Sequence, residues 1–172
     1  MAIMFYRISE PYGCFSNFAH YGFNLDGLFW KTSEHYFQAQ KFIGTNHVAE
    51  IYNLDTPLKA AQYGRRRDIQ LRSDWELVKN DVMRTAVLAK FSQNQEIKDV
   101  LLSTGEALLV ENTTEDYYWG CGTNGNRDTF HVGESAHLEV FNKNGIHLGE
   151  ADPITGILLE GTADAAKRLI IK

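Results

Sequence analysis

The stretch "TSEHYFQAQKF", residues 32–42, combines the start signal of a helix with side chains that could carry chemistry. Two helix-capping hydroxyl residues open it, and either of them is typical of the position just before a helix. On that helix Glu34, Gln38 and Lys41 fall on one face, because they are four and then three residues apart. We therefore predict a helix that begins near Thr32 and carries a carboxylate, an amide and an amine along one stripe.

This stripe has two interpretations. Charged and polar residues on one helix face are typical of a surface that contacts water. Large rings, however, occupy positions on either side of the stripe, so that no face of the helix is free of them. A carboxylate and an amine that are half-buried among rings have shifted pKa values, as active-site groups do. The flanking rings are Trp30, His35, Tyr36, Phe37 and Phe42.

The composition predicts a globular protein with one domain, or one domain and an appendage. The chain has 172 residues, of which 44% are hydrophobic and 12% aromatic, and its net charge is -5. This charge argues against wholesale electrostatic binding of nucleic acid but is compatible with a local basic site. Cys14 and Cys121 fit neither a disulfide framework nor a zinc motif. We expect a cytoplasmic protein without a metal or another cofactor, and no stretch has the length of a membrane span.

The remaining elements can be located from periodicity and turn signals. "IMFYRI" and "EALLVEN" are typical of strands, and Asp26-Gly27 predicts a turn between two short extended runs. Helices are predicted on both sides of Pro57, the second one stopping at Gly64. The longest helical pattern is "SDWELVKNDVMRTAVLAKFSQN", which Ser73 can cap, and "NQEIKDVLLST" predicts one more helix.

The composition changes near residue 134. Beyond it, short alternating runs are broken at Asn144-Gly145, at Asp152-Pro153 and at Gly156, which predicts a β-hairpin or a small meander. We therefore divide the chain into a domain at 1–133 and a β-rich extension at 134–172.

Three further stretches are candidates for ligand binding. "CFSNF" offers Ser16 and Asn17 as hydrogen-bonding groups and Phe15 or Phe18 as a stacking ring, although a turn with two core rings explains it as well. Residues 59–90 contain eight basic and four acidic residues, a local charge of +4. The cluster "GRRRDIQLR" in this region is either a solvated face or a phosphate contact.

The third stretch, "DYYWGCG", frees backbone N–H groups for a ligand. Its candidates are Asp116, Trp119, Gly120 and Gly122. A glycine-rich loop is weak evidence on its own, and Asp116 is equally well explained as a turn former.

Taken in order, these motifs resemble the NADAR family of YbiA-like domains. The motifs that carry the resemblance are "FSNF", "TSEHYFQAQKF", "YGR", "LRSDWELVKNDVMRTAVLAKF", "LLSTGEALLVENT" and "DYYWGCG", which cover about residues 5 to 126. The resemblance implies an α+β fold that is mostly helical, with a few short strands. It also implies hydrolysis of the C–N bond between a ribose and an exocyclic amine. Two substrate classes follow from it, namely ADP-ribose joined to guanine in nucleic acid and the ribosylamino-pyrimidine intermediates of riboflavin synthesis.

The chemistry of the candidate catalytic residues is compatible with this activity. The anomeric carbon of such a substrate is an aminal, which can open to an imine and exchange onto an amine such as Lys41. Alternatively, Glu34 activates water, as the carboxylates of glycosidases do. Lys79 is a second candidate amine, because it lies one helical turn after Trp75. Candidate catalytic residues are Glu34, Lys41, Lys79 and Asp116. Candidate substrate-binding residues are Ser16, Asn17, Phe18, Arg65, Trp75, Trp119, Gly120 and Gly122.

The C-terminal stretch departs from the family pattern, since no closing helix follows "GNRDTFHVGESAHLEV". Its last strands are weakly similar to those of colicin-type ribosome-cleaving ribonucleases. The ungapped alignment, however, places Val132 and Ser135 where those enzymes need Asp and His. Two rivals to the enzyme therefore stay open: a nucleotide-binding module without turnover, and a ribonuclease acting through this stretch. A β-extension that packs on the domain, self-associates or binds a protein partner is the third explanation of the stretch.

Overall fold

The structure, a computed structural model, describes residues 2–113, 116 and 119–120 and the backbone of residues 138–141 and 147–151. Its elements in chain order are β1 (Ala2–Phe5), β2 (Phe23–Leu25), β3 (Leu28–Trp30), α1 (Ser33–Gln40), α2 (His47–Asn53), α3 (Pro57–Gly64), α4 (Trp75–Gln93), α5 (Gln95–Ser103), β4 (Leu108–Glu111), β5 (Leu138–Phe141) and β6 (His147–Ala151), with a short 3-10 helix at Gly13–Phe15. The chain forms two compact units. One, the central unit, is Asn17–Asp99, and the other, the terminal unit, combines Met1–Ser16 with Val100–Lys172.

The central unit begins with a tight hairpin. β2 and β3 pair antiparallel, with Phe23 opposite Trp30, and the predicted turn at Asp26 and Gly27 is confirmed. Both turn residues have positive φ angles, 52° and 77°, which a two-residue turn compatible with the strand twist requires. The hairpin brings Trp30 into the core immediately before α1 begins.

Helix α1 is at the centre of this unit. It packs against α2, α3, α4 and β3. All eight of its residues are buried, so the solvated-face interpretation of the stripe is wrong. The predicted cap is confirmed, since the Thr32 side chain accepts a hydrogen bond from the His35 backbone N–H. Around the helix lies an aromatic and aliphatic core that includes Phe23, Trp30, Tyr36, Phe42 and Ile51.

Helix α4 begins at Trp75, one residue later than a cap at Ser73 predicts. Ser73 does not cap it: the residue before the helix is Asp74, and its side chain makes no capping bond. The reason is that both carboxylate oxygens of Asp74 accept hydrogen bonds from the Arg72 guanidinium, at 2.6 and 2.9 Å. The helical period itself is confirmed, since Trp75, Ala86 and Ala89 are buried on one face.

Gly64 is the last residue of α3, and the residue that follows the helix is Arg65. The predicted role as a stop signal is therefore only part of the explanation. A Cβ atom on Gly64 would lie 1.7 Å from Oε1 of Gln38, so the close packing of α1 against α3 requires a glycine here.

In the terminal unit β1 pairs parallel with β4, with Ile3 opposite Leu109. Both strands were predicted. Phe5 packs edge-on against Phe15 of the 3-10 helix, with 5.6 Å between ring centroids. β5 pairs antiparallel with β6, as expected for the C-terminal stretch. The predicted boundary between residues 133 and 134 stays a prediction.

The α+β fold class is confirmed, and the described residues form five α-helices and short strands in two-stranded sheets. Over the part of the chain that the structure describes, no helix combines the length and the apolar character needed to cross a membrane.

Candidate active site

The stripe on α1 is a connected set of polar groups inside the central unit. The Gln38 amide nitrogen Nε2 donates a hydrogen bond to Oε1 of Glu34 at 2.7 Å. The two residues are only 6% and 8% exposed, respectively. The carboxylate is thus fixed by a bond within its own helix, at the i, i+4 spacing that the sequence predicted.

Lys41 follows the last residue of α1, and its amine lies between rings. Nζ is 5.5 Å from the centroid of the Phe37 ring and 5.6 Å from that of Trp75. The two rings pack edge-on against each other with 5.0 Å between centroids. Nζ also donates a hydrogen bond to the backbone carbonyl of Gly64 at 3.1 Å. The amine therefore has aromatic walls and a neutral acceptor.

These surroundings lower the pKa of Lys41 from 10.5 to about 8. Burial is the largest cause, because it penalises the charged form of the amine. The charge of Glu34 opposes this effect, whereas the positive charges of Arg67 and Arg65 add to it. Among the described residues, no carboxylate forms a salt bridge with Lys41.

Two further contacts fix the first turn of α1. The Glu34 backbone N–H donates to the carbonyl of Asn17 at 3.1 Å, which ties the "FSNF" motif to the helix. His35 bridges the cap to a neighbouring loop, since its Nδ1 lies 2.8 Å from Thr32 Oγ1 and its Nε2 lies 3.3 Å from the carbonyl oxygen of Leu54. Burial lowers the pKa of His35, which favours the neutral ring.

The basic cluster after α3 divides into paired and unpaired arginines. Arg66 forms two hydrogen bonds with the Asp68 carboxylate, and Arg72 does the same with Asp74. Arg65 forms no salt bridge with a carboxylate of the described residues, and neither does Arg67, whose Nη1 donates to the Arg65 carbonyl at 3.0 Å.

Lys79, the second candidate amine, has a different environment from Lys41. Its Nζ lies 2.5 Å from Oε2 of Glu76, a residue of the first turn of α4 whose side chain is 77% exposed. Trp75, in the same turn, is buried and belongs to the wall around Lys41.

The other predicted residues occupy several places. Phe18 is partly buried in the central unit. Ser16 is buried, and Asp116, Trp119 and Gly120 belong with it to the terminal unit. Asp116 Oδ1 accepts a hydrogen bond from the Trp119 backbone N–H at 2.9 Å, the geometry of a turn former. Gly122 lies outside the described residues.

The structure thus brings Glu34, Lys41 and Trp75 into one neighbourhood, together with the backbone of Asn17. For two members of this neighbourhood, Gln38 and Gly64, the sequence predicts no function at the site. Gln38 was on the stripe but had no predicted function, and Gly64 was predicted only as a helix stop. No sequence signal indicates that a glycine in one helix faces an amide in another.

Comparisons with known proteins agree with this picture. The profile of the NADAR domain matches residues 4–146. The chain belongs to the NADAR domain family. An N-glycosidase of Nostoc punctiforme, Npun_R5314, is 50% identical over 127 residues, which cover 72% of this chain and 81% of that protein.

Other proteins similar to this NADAR domain are named as an N-glycosidase or as a riboflavin biosynthesis protein. The N-glycosidase YbiA of Escherichia coli is 50% identical over 123 residues, 72% of this chain and 77% of that protein. The NMR structure of the E. coli protein YbiA has a TM-score of 0.67 to this fold and covers 73% of this chain and 74% of its own. The riboflavin biosynthesis protein PYRR of maize is 38% identical over 138 residues, 72% of this chain but 22% of that protein. The prediction of a hydrolase that acts on N-glycosyl bonds is confirmed at this level by the two N-glycosidases.

Proposed function

We propose that this NADAR domain removes ADP-ribose from the exocyclic amino group of guanine in nucleic acid by hydrolysing the ribose–amine C–N bond. The observation that supports the proposal most directly is the amine of Lys41, which lies between two rings beside a buried carboxylate. An amine can add to a sugar's anomeric carbon only when it is neutral, and this environment favours the neutral form.

The size of the pKa change favours addition of the Lys41 amine to the anomeric carbon. With a pKa of about 8, roughly one lysine in ten is neutral at pH 7. An ordinary lysine, with a pKa near 10.5, is neutral in roughly one molecule in three thousand at the same pH. We therefore expect kcat/KM to rise with pH, to reach half of its maximum near pH 8, where half of the Lys41 amines are neutral, and to level off above about pH 9.

In the first of two routes Lys41 is the nucleophile. The ribose ring opens, so that the anomeric carbon becomes an imine to the guanine nitrogen. Nζ adds to that carbon, a proton moves to the guanine nitrogen, and the C–N bond to guanine breaks as the base leaves with its amino group. Water then adds to the resulting lysine imine, and the C–Nζ bond breaks to release ADP-ribose and the free amine. Glu34 moves the protons in both exchanges.

In the second route Glu34 acts on water. The carboxylate takes a proton from a water molecule that attacks the anomeric carbon, while the departing guanine amine receives a proton. Lys41 then stabilises charge near the sugar and forms no covalent bond. The two routes give the same products, ADP-ribose and unmodified guanine, and differ only in the covalent intermediate.

The arginines support a substrate with more than one phosphate. Arg65 and Arg67 are close enough to Lys41 for their charges to lower its pKa, and no described carboxylate pairs with either of them. Two cations of this kind match the pyrophosphate of ADP-ribose better than a single phosphate. We assign Asn17, Phe18, Trp75, Ser16, Trp119, Gly120 and Gly122 to contacts with base and ribose, and Asp116 to the catalytic set, as the sequence predicts.

A second substrate class has its own support. The maize relative is named a riboflavin biosynthesis protein and is 38% identical to this chain. Ribosylamino-pyrimidines carry the same ribose–amine bond, so the same pair of residues can hydrolyse them. We propose these intermediates as the alternative substrate.

Turnover assays distinguish the candidates. The full chain is incubated with an oligonucleotide that is ADP-ribosylated on guanine and, in parallel, with a ribosylamino-pyrimidine, and products are identified by mass spectrometry. Release of ADP-ribose and unmodified guanine supports the proposal, and turnover of the pyrimidine alone supports the alternative. Binding without release identifies a binding module. Cleavage of ribosomal RNA that survives Glu34→Gln identifies a ribonuclease.

Reduction with borohydride during turnover separates the two routes. It converts a lysine imine into a stable secondary amine, so peptide mass analysis should find a sugar adduct on Lys41. An adduct on Lys79 would move the nucleophile to α4. Turnover without any adduct would support attack by water.

For the stretch at 134–172 we propose an extension that contacts a protein partner or a second copy of the chain. Its support is the antiparallel pair of β5 and β6, of which β6 lies beyond the residues 4–146 that the NADAR profile matches. Sedimentation of the full chain tests self-association. A cytoplasmic location is proposed with it, from the cysteine pattern of the sequence.

A further inference from the structure

Gln38 lies between the two proposed catalytic residues along α1 and contacts the surroundings of both. Its Nε2 donates to Glu34 Oε1 at 2.7 Å. Only the NH₂ end of an amide can donate to a carboxylate, so this bond fixes the amide orientation and turns Oε1 away from Glu34. With Gln38 6% exposed and Glu34 8% exposed, neither group exchanges this bond freely for water.

Gly64 borders the other end of the amide. The ideal Cβ position on Gly64 is 1.7 Å from Gln38 Oε1 and 2.6 Å from the amide carbon, so no side chain fits there. The carbonyl of the same residue accepts the hydrogen bond from Lys41 Nζ at 3.1 Å. A single residue therefore faces the amide with its α-carbon and the amine with its carbonyl.

Packing alone does not explain why residue 38 has an amide side chain. Within the described part of the chain, Oε1 of Gln38 is buried and has no hydrogen-bond partner. A buried acceptor without a donor is unfavourable, and an unbranched apolar side chain of the same length would avoid that cost. What such a side chain would lack is the NH₂ group that contacts Glu34.

We infer that Gln38 is a positioning residue that holds the Glu34 carboxylate ionised and in one orientation beside Lys41, and that Gly64 is glycine because this amide must fit against it. The inference rests on the proposed function, because it assigns Gln38 and Gly64 roles through Glu34 and Lys41. A hydrogen bond to the charged form of a carboxyl group favours that form, which is the form that can accept a proton.

The first test replaces the amide without changing its length. We expect Gln38→Met to lower kcat about tenfold to a hundredfold with little change in KM, because the carboxylate loses its fixed orientation. The acidic limb of kcat/KM should have two breaks, an upper one set by Lys41 and a lower one set by Glu34, and we expect only the lower break to move to higher pH, by about one unit. Gln40→Met is the matched control, a buried glutamine of the same helix that makes no bond to Glu34. A Gln38→Met enzyme with the wild-type pH profile would overturn the inference.

The second test is a double-mutant cycle. Gly64→Ala keeps the carbonyl that Lys41 uses but forces the amide away, so we expect a loss comparable with that of Gln38→Met. In a Gln38→Ala background the contacts at 1.7 and 2.6 Å are gone and only the contact with the Cβ of residue 38 at 3.2 Å remains, so the same glycine change should cost less than about threefold. If Gly64→Ala costs the same in both backgrounds, the glycine serves something other than the amide.

The third test needs no turnover. With Glu carboxyl carbons labelled with ¹³C and the Glu34 signal assigned from Glu34→Gln, NMR follows the titration of this group in the free protein. Gln38→Met should move its midpoint upward by about one pH unit, and Gln40→Met should not. An unchanged midpoint of the Glu34 titration in Gln38→Met would contradict the inference even if the enzyme is active. Wild-type protein that turns over neither substrate, with the midpoint shifted as expected, would instead contradict the proposed function.

Discussion

The end of α1 and the first turns of α4 each carry a lysine, and the two amines have opposite surroundings. Lys41 Nζ lies between the rings of Phe37 and Trp75 and donates to a backbone carbonyl. Lys79 Nζ lies 2.5 Å from the carboxylate of Glu76, whose side chain is 77% exposed. Both lysines are candidate nucleophiles by sequence, and only the contacts distinguish them.

The difference shows what makes an amine reactive. A carboxylate partner favours the charged ammonium, which has no lone pair to donate. Aromatic walls and a neutral carbonyl remove water without supplying a counter-charge, and this lowers the pKa of Lys41 to about 8. Glu34 lies near enough for its charge to oppose the shift, and with a pKa of about 8 roughly one Lys41 amine in ten is neutral at pH 7.

The largest effect should separate the two lysines. Lys41→Ala removes the proposed nucleophile, so we expect kcat to fall by at least about a thousandfold. Lys79→Ala removes an amine whose Nζ pairs with the exposed carboxylate of Glu76, and it should change kcat by less than about threefold. Product release from ADP-ribosylated oligonucleotide measures both. Near-wild-type turnover by Lys41→Ala would give the role to Lys79 or to water.

Removing the carboxylate should have the next largest effect. Glu34→Gln keeps the size of the side chain but cannot accept a proton, so we expect kcat to fall about a hundredfold, in the range of general acid–base catalysis. Circular dichroism checks that α1 still forms. A matched change on α4, Glu76→Gln, removes a carboxylate that pairs with Lys79 and that, like Glu34, raises the pKa of Lys41, and it should leave kcat within about twofold. Equal losses in the two variants would remove the distinction between the helices.

The same environment that activates Lys41 should destabilise the free protein. Folding lowers the pKa of Lys41 from 10.5 to about 8, so below about pH 8 both states are charged and the full penalty is present. As pH rises from about 8 to 10.5, only the unfolded chain stays charged, and the penalty is lost. We therefore expect Lys41→Met to raise the free energy of unfolding by about 2 kcal/mol at pH 7 and by much less at pH 10.

Urea unfolding at both pH values measures this effect. Lys59→Met is the control, because Lys59 is an exposed lysine whose Nζ pairs with Asp55 at 2.8 Å. A gain in stability that is equal at both pH values would mean that packing, and not charge, is the cause.

The fold was largely predictable because its signals are local. The turn at Asp26-Gly27 and the cap at Thr32 each depend on residues within a few positions in the chain. The prediction that Ser73 caps α4 was wrong for a reason that helical periodicity does not contain. The residue before the helix is Asp74, its carboxylate accepts hydrogen bonds from Arg72, and the helix begins without a side-chain cap.

The site was predictable only along α1. The stripe of Glu34 and Lys41 follows from helical spacing, which the sequence contains. The contact between Gln38 and Gly64 joins residues of two helices whose approach depends on the core, and no local pattern encodes it. The roles of Asp116, Trp119 and Gly122 stay predictions for a similar reason, because a loop of glycines and aromatic residues has no period from which geometry follows.

The smallest effect should distinguish the two helix starts. Thr32 accepts the His35 N–H and contacts the His35 ring, so Thr32→Ala should lower the free energy of unfolding by about 1 to 2 kcal/mol. Ser73→Ala should change it by less than about 0.5 kcal/mol, because α4 has no side-chain cap to lose. Thermal and urea unfolding of the two variants measure the difference. Equal losses would mean that Ser73 caps α4 in solution, and the contrast between a tightly held α1 and an uncapped α4 would then disappear.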